Sequence, residues 1–228
     1  MFIGLIQAKS NIVSMKLINL IRKIIRQSNI FRLKNNNFTL ITNNCIGGII
    51  CHDLHQKFNS PTVNLDFDDD DFILFCKHLD AFLSSQIEQV STQEKFPVGI
   101  IRNEYGMVRL YFRHYSTFKE AVEKWEQRKL RINWNNIYVV MEGGFASEQN
   151  IRDFDELPFE NKVIFLRDGY YSKNSITIPR RFYDMSFHHG KLLEYTGRNL
   201  RRNFEILDYV NFINGRGIKM TKLFKPVL

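Results

Sequence analysis

The stretch Phe38-Thr39-Leu40-Ile41-Thr42-Asn43-Asn44-Cys45-Ile46-Gly47-Gly48-Ile49-Ile50-Cys51-His52-Asp53-Leu54 changes character in its middle. Phe38 to Thr42 is a short β-branched and apolar run, which predicts a strand. Asn43 to Gly48 is rich in turn formers. Beyond it, Ile50, Cys51, Leu54 and Phe58 recur at helical spacing, so a helix follows. A strand running through a tight turn into a helix is the repeating unit of an α/β fold.

The same alternation continues downstream. Ser60-Pro61-Thr62 is a loop and Val63-Asn64-Leu65 a strand. Asp68 to Asp71 precede one helix, from Phe72 to Leu83. Val98 to Ile101 and Met107 to Phe112 form a hairpin around Asn103 to Gly106. Thr117 and Glu120 are spaced as a capping box, opening a helix to about Arg131 with Ala121, Trp125 and Arg128 on one face. Strands at Ile137 to Met141 and Lys162 to Leu166 flank a helix at Glu148 to Asp155, and Phe204 to Phe212 is a late helix. The expected fold is one α/β domain over residues 35–228, with a mixed, largely parallel sheet covered by helices on both faces.

Upstream, Leu17, Leu20, Ile21, Ile24 and Ile25 fall at helical spacing among Lys16, Arg22, Lys23 and Arg26. Residues 1–34 therefore read as a basic amphipathic helix, loosely tied to the domain through an Asn35-Asn36-Asn37 hinge. MKLINLIRKI from Met15 has the look of a natural start, which would leave residues 1–14 outside the natural chain. The apolar face can pack on the domain or lie on a membrane surface.

Composition narrows the classes. With 44% apolar and 25% charged residues in 228, the chain is an ordinary globular protein, not collagen, coiled coil or a disordered polymer. Residues 1–34 carry +7 without an acid. Residues 35–179 carry −5, from 15 basic and 20 acidic side chains, and residues 180–228 carry +6. An acidic middle between basic ends does not suit a nucleic-acid face. It suits an anionic membrane surface, or phosphates near the termini. Three cysteines without paired spacing argue against a disulfide framework. No run reaches the length of a membrane span and no secretory signal is evident, so the expected location is cytoplasmic, peripheral on the inner face of the membrane.

Candidate chemistry gathers at the opening stretch. Cys45 falls between a strand and a helix N-terminus. Unpaired N–H groups there favour a thiolate and a developing oxyanion, and Gly47 and Gly48 allow close backbone approach. The layout resembles a nucleophile elbow, although a buried cysteine in a tight turn has the same pattern. A thiol needs a base. Val108, Leu110, Phe112 and His114 share one strand face, and His114 ends it. Cys45 and His114 would meet at the carboxyl edge of a parallel sheet. Glu142 or Asp168, each following a strand, would orient the histidine.

Around this catalytic set of Cys45, His114 and Glu142, Asn43, Asn44, Gly47, Gly48, Ser60 and Thr62 are candidate substrate contacts. Arg128, Arg131 and Asn133 join them, because guanidinium groups suit phosphate and amides suit sugar hydroxyls. His52 and His55 are half a metal site without a third ligand, and Asp68 to Asp71 fit a helix start better than a metal. No metal is expected, and the sequence names no cofactor.

Thr42-Asn43-Asn44-Cys45-Ile46-Gly47-Gly48 with Ser60-Pro61-Thr62, then Phe112-Arg113-His114-Tyr115, then Trp125 to Trp134, then Leu157-Pro158 with Lys162-Val163, resembles the exopolysaccharide biosynthesis protein family, domain of unknown function 1919. The likeness runs from about Asn36 to Gly215. It implies a single α/β domain in bacterial capsule and exopolysaccharide synthesis, without a defined reaction. The family pattern has Trp after the cysteine and Asp after the later strand. This chain has Ile46 and Glu142, which speaks against an aromatic sugar platform at 46 and a metal at 142. Two functions follow as expectations. One is an acyl- or glycosyl-type transferase acting through Cys45 on a sugar or lipid-linked sugar. The other is a non-catalytic subunit holding a sugar phosphate or an assembly partner.

Overall fold

The computed structural model describes residues 2–179, 192–195 and 200–222, with side chains from residue 15 onward. The remaining residues of the expected 35–228 domain lie outside the described ones. The elements in order are α1 (Phe2–Arg32), β1 (Thr39–Thr42), α2 (Ile46–Asp53), α3 (Asp69–Lys77), α4 (Leu79–Ser84), β2 (Ile87–Val90), β3 (Val98–Asn103), β4 (Gly106–Tyr111), α5 (Phe118–Lys129), β5 (Ile137–Gly143), α6 (Glu148–Glu156), β6 (Asn161–Arg167), β7 (Ser175–Ile178), a 3-10 turn at Asn203–Ile206 and α7 (Tyr209–Ile213).

Four strands form a parallel sheet in the order β1-β5-β6-β7. Its side chains alternate between two buried faces. Ile41, Val139, Met141, Ile164 and Leu166 enter one core with α3 to α6. Leu40, Tyr138, Val140, Val163 and Phe165 enter the other with α2 and α7. Burial on both faces is why these strands read as continuous apolar runs. The hairpin exists, but β2, β3 and β4 form a separate antiparallel sheet packed on the first core. The expected fold class holds, with this second sheet added.

Several local expectations are corrected. Val63 to Leu65 is not a strand: Val63 and Asn64 lie in a turn, and Asn64 takes φ +68°. Only Asp66 pairs beyond it, its N–H and C=O both bonding Tyr111. The helix after Asp68 breaks at His78 into α3 and α4. The late helix is a 3-10 turn followed by α7. β2 and β7 lie where no strand was expected; in β2 only Ile87 and Val90 are half-buried and they point to opposite faces, so its pattern lacks an apolar face.

The Asn35 to Asn37 segment is not a hinge. The Asn35 amide donates to the Ile213 carbonyl at 2.8 Å and to Tyr138 at 3.2 Å, and the N–H groups of Lys34 and Asn35 bond Asn214. Nor is the end of α1 loose. Asn29 donates to the Tyr209 hydroxyl at 2.8 Å, Arg32 pairs with Asp208, Arg26 pairs with Asp53 at 2.9 Å, and Leu33 is buried. The apolar positions of α1 divide between two faces. Ile21 and Ile25 lean on the domain, whereas Met15, Leu17, Leu20, Ile24 and Phe31 are exposed.

Candidate active site

Asn43 and Asn44 carry the chain from β1 into α2. The Asn43 amide donates to the Glu142 carbonyl at 3.0 Å and accepts from the Glu142 N–H at 2.9 Å, extending the β1–β5 ladder by one side-chain rung. Asn44 donates to the Glu142 carboxyl at 2.5 Å and accepts from the Ile46 N–H at 3.0 Å. Both asparagines are buried. The turn they hold places Cys45 at the N-cap of α2, where its carbonyl accepts the first intrahelical bond, from Ile49. Gly47 is required for packing: a Cβ there would lie 2.8 Å from the Thr42 hydroxyl oxygen.

Cys45 Sγ lies 3.1 Å from His114 Nε2. The two residues share a cavity of about 410 Å³ with Arg26, Gly48, Ile49, His52, Asp53, Phe58, Asn64, Leu193 and Arg202. The route to this contact differs from the expected sheet edge. His114 lies in a turn beyond β4, in the antiparallel sheet. The segment Asp66-Phe67 brings it across, because Asp66 pairs with Tyr111 while the Phe67 N–H bonds the Asn43 carbonyl at 2.9 Å.

Asp66 is buried and ion-paired with Arg113, the neighbour of His114. Burial and then the Asp66 charge push the Cys45 thiol up to about 12, with Arg113 pulling it back. The resting sulfur is therefore a thiol. Attack on an electrophile requires the proton to leave as the bond forms, and Nε2 stands at hydrogen-bonding distance to take it.

Glu142 does not orient His114. It is buried beneath the turn and bonded to Asn44; burial, Asp69 and Asp66 hold its carboxyl well above the usual range, so it is a neutral prop. Asp168 is exposed after β6 and does not line the cavity. Ser60 and Thr62 are buried and bonded to each other at 3.0 Å, with Thr62 accepting from the Thr42 N–H. They extend the end of β1 rather than face the cavity. Asn133 bonds Thr39 and the Asn37 carbonyl.

Arg128 and Arg131 line a different cavity, separated from the first by Phe58, which borders both. Of the predicted residues, the structure thus brings Cys45, His114 and Gly48 together. The acidic run works as a tie: Asp68 accepts from Tyr111, Asp70 from Asn150 and Asp71 from the Arg109 N–H. His52 and His55 are not paired on a helix, because α2 ends at Asp53 and His55 takes φ +54°. Among the described residues, no three His, Cys, Asp or Glu side chains are arranged to hold a metal.

Sequence reasoning missed Arg26, Asp66, Arg113, Asn64 and Arg202 as neighbours of the thiol. Arg113 had a signal, standing beside His114 in the Phe112-Arg113-His114-Tyr115 motif; the others reach the site only through tertiary packing. Another concavity, of about 660 Å³, lies between the β2–β3 loop and the start of α5 and is lined by no cysteine or histidine.

Comparison with known proteins agrees with the resemblance to domain of unknown function 1919 and does not bear on exopolysaccharide synthesis. A family model described as Domain of unknown function (DUF1919) matches residues 16–214, taking in α1 from Lys16. A protein of Haemophilus influenzae described as uncharacterized is 35% identical over 184 residues, covering 80% of this chain and 87% of its own length.

Proposed function

The chain belongs to the DUF1919 family, and from that premise we propose that it is a group-transfer enzyme using Cys45 as nucleophile and His114 as general base. One observation carries the reading: a thiol and an imidazole nitrogen 3.1 Å apart at a cavity of about 410 Å³. Acyl transfer suits a thiol best. Sγ attacks the donor carbonyl, its proton passes to Nε2, and the leaving group departs with that proton as a thioester forms on Cys45. An acceptor hydroxyl then attacks the thioester, gives its proton to Nε2, and the proton returns to the released sulfur. The acceptor is a sugar or lipid-linked sugar of a bacterial surface polysaccharide; the motif resemblance supports that assignment.

The second reading, a non-catalytic subunit holding a sugar phosphate, draws on the thiol's rise to about 12, which keeps it protonated at neutral pH. Incubation with p-nitrophenyl acetate separates the two. The enzyme gives an acetylated Cys45 by mass spectrometry, and His114→Ala slows its formation at least about tenfold. No adduct on Cys45, or one formed equally fast without His114, refutes the dyad.

The enzyme works at an anionic membrane surface, on the inner face of the cell membrane. The exposed stripe of Leu17, Leu20, Ile24 and Phe31 supports this, flanked by exposed Lys16, Lys23 and Lys34. Among the described residues no helix is long and apolar enough to cross a membrane, and the proposed contact is made by one side of α1 lying along the surface.

A further inference from the structure

Behind Phe58, away from Cys45, a groove of about 330 Å³ is lined by Gln56, Lys57, Phe58, Lys124, Gln127, Arg128 and Arg131. It holds four cations, two amides and no acid. Arg128 is 8% exposed. Its guanidinium donates to the Val63 carbonyl at 2.9 Å and to the Tyr115 hydroxyl at 2.5 Å, and lies 5.4 Å from the centre of the Phe58 ring. Among the described residues Arg131 reaches only a carbonyl, that of Phe58, at 3.4 Å.

Among the described residues none of the four cations forms an ion pair, although the neighbouring Lys129 pairs with Glu126 at 2.7 Å. A buried guanidinium held only by neutral acceptors keeps its full charge in a poorly solvated place, which proteins ordinarily compensate with an anion. Cations converging without a carboxylate leave that anion to come from outside.

We propose that this groove binds the diphosphate of a diphosphate ester. Two linked phosphates span four cations better than one, and fork-like guanidinium groups match phosphate oxygens. The volume lies within the range of about 300–1,000 Å³ typical of ligand sites. Phe58 borders this groove on one side and the Cys45 cavity on the other. A ligand held here by its diphosphate can therefore extend its organic group past the ring toward the thiol. The binding site itself stands without the Cys45 chemistry, because no residue of the dyad lines it.

Isothermal titration of the full chain at low salt tests this with inorganic pyrophosphate and orthophosphate. Pyrophosphate binds at least about tenfold more tightly than orthophosphate. Lys124→Gln and Arg131→Gln each weaken pyrophosphate about tenfold, the size of one charge-assisted hydrogen bond. Lys95→Gln, in the remote concavity, leaves it unchanged. No pyrophosphate binding, equal affinity for the two anions, or an equal loss in the Lys95 variant overturns the proposal. Uridine diphosphate and farnesyl diphosphate then identify the carrier: whichever binds more tightly than pyrophosphate names it as nucleotide or lipid, and if neither does, the diphosphate ester is overturned as the ligand.

Discussion

Asp69 opens α3 beside two other acids, and its replacement by asparagine should make stability less dependent on pH. Burial, then the charges of Asp70 and Asp68, push its carboxyl from 3.8 up to about 7, while a hydrogen bond with Asn43 pulls it down. In the unfolded chain the proton leaves near the ordinary value; in the fold it stays until about pH 7. Between those points the native state binds more protons than the unfolded one, so the stability contributed by Asp69 is fully present below about pH 4 and falls as pH rises toward 7.

Carrying a carboxyl over that interval corresponds to about 4 kcal/mol. Its partly exposed side screens roughly half, leaving about 2 kcal/mol. Asp69→Asn cannot ionise, so from pH 4 to pH 8 it should gain about 2 kcal/mol relative to the parent chain. Asp69 also raises Glu142, and removing its charge acts in the same direction. Urea unfolding followed by circular dichroism at both pH values gives the difference. A gap between the two proteins that is flat, or that narrows as pH rises, refutes the reasoning.

Two more outcomes follow from the packing. Gly47→Ala drives a Cβ to within 2.9 Å of the Thr42 methyl and 2.8 Å of its hydroxyl oxygen. It should destabilise by about 1–3 kcal/mol in urea melts, whereas Gly144→Ala, with nothing within 4 Å, should change stability by less than about 0.5 kcal/mol. Leu17→Asn, Leu20→Asn and Ile24→Asn together should abolish flotation with anionic liposomes and leave the melting temperature unchanged, because these side chains are exposed. Lys16, Lys23 and Lys34 supply about 1 kcal/mol each at such a surface, so 1 M salt should weaken the parent chain's flotation; undiminished flotation by the triple variant excludes α1 as the contact.

The parallel sheet was legible because its strands are buried on both faces and read as unbroken apolar runs, such as Ile137 to Met141. The Cys45 turn was legible because asparagine and glycine punctuate it. What stayed hidden was contextual. β2 has its two polar residues exposed between half-buried Ile87 and Val90, so it lacks the alternation that marks a strand. The Asn35 to Asn37 run has the composition of a hinge, and only the fold shows Asn35 bonded to Tyr138 and Ile213, more than 100 residues away in sequence. Glu142 follows a strand like a catalytic acid. Its burial under Asn44 depends on which strand lies beside β1, and periodicity carries no such information.

The meeting of Cys45 and His114 shows why residue types can be right when the route is wrong. A strand-end rule brings a cysteine and a histidine together only if their strands share one sheet, and these do not. The link is Asp66-Phe67, one residue paired to β4 and the next to the turn after β1. That short span fixes the position of each sheet against the other. Asp66 also turns its carboxylate to Arg113, next to His114, so one buried acid holds the backbone register and sets the charge around the thiol. At the sulfur the two charges oppose each other: Asp66 raises the thiol and Arg113 lowers it. Burial, the larger cause, keeps the sulfur protonated at rest, so the transfer proposed for Cys45 needs a base at the moment of attack.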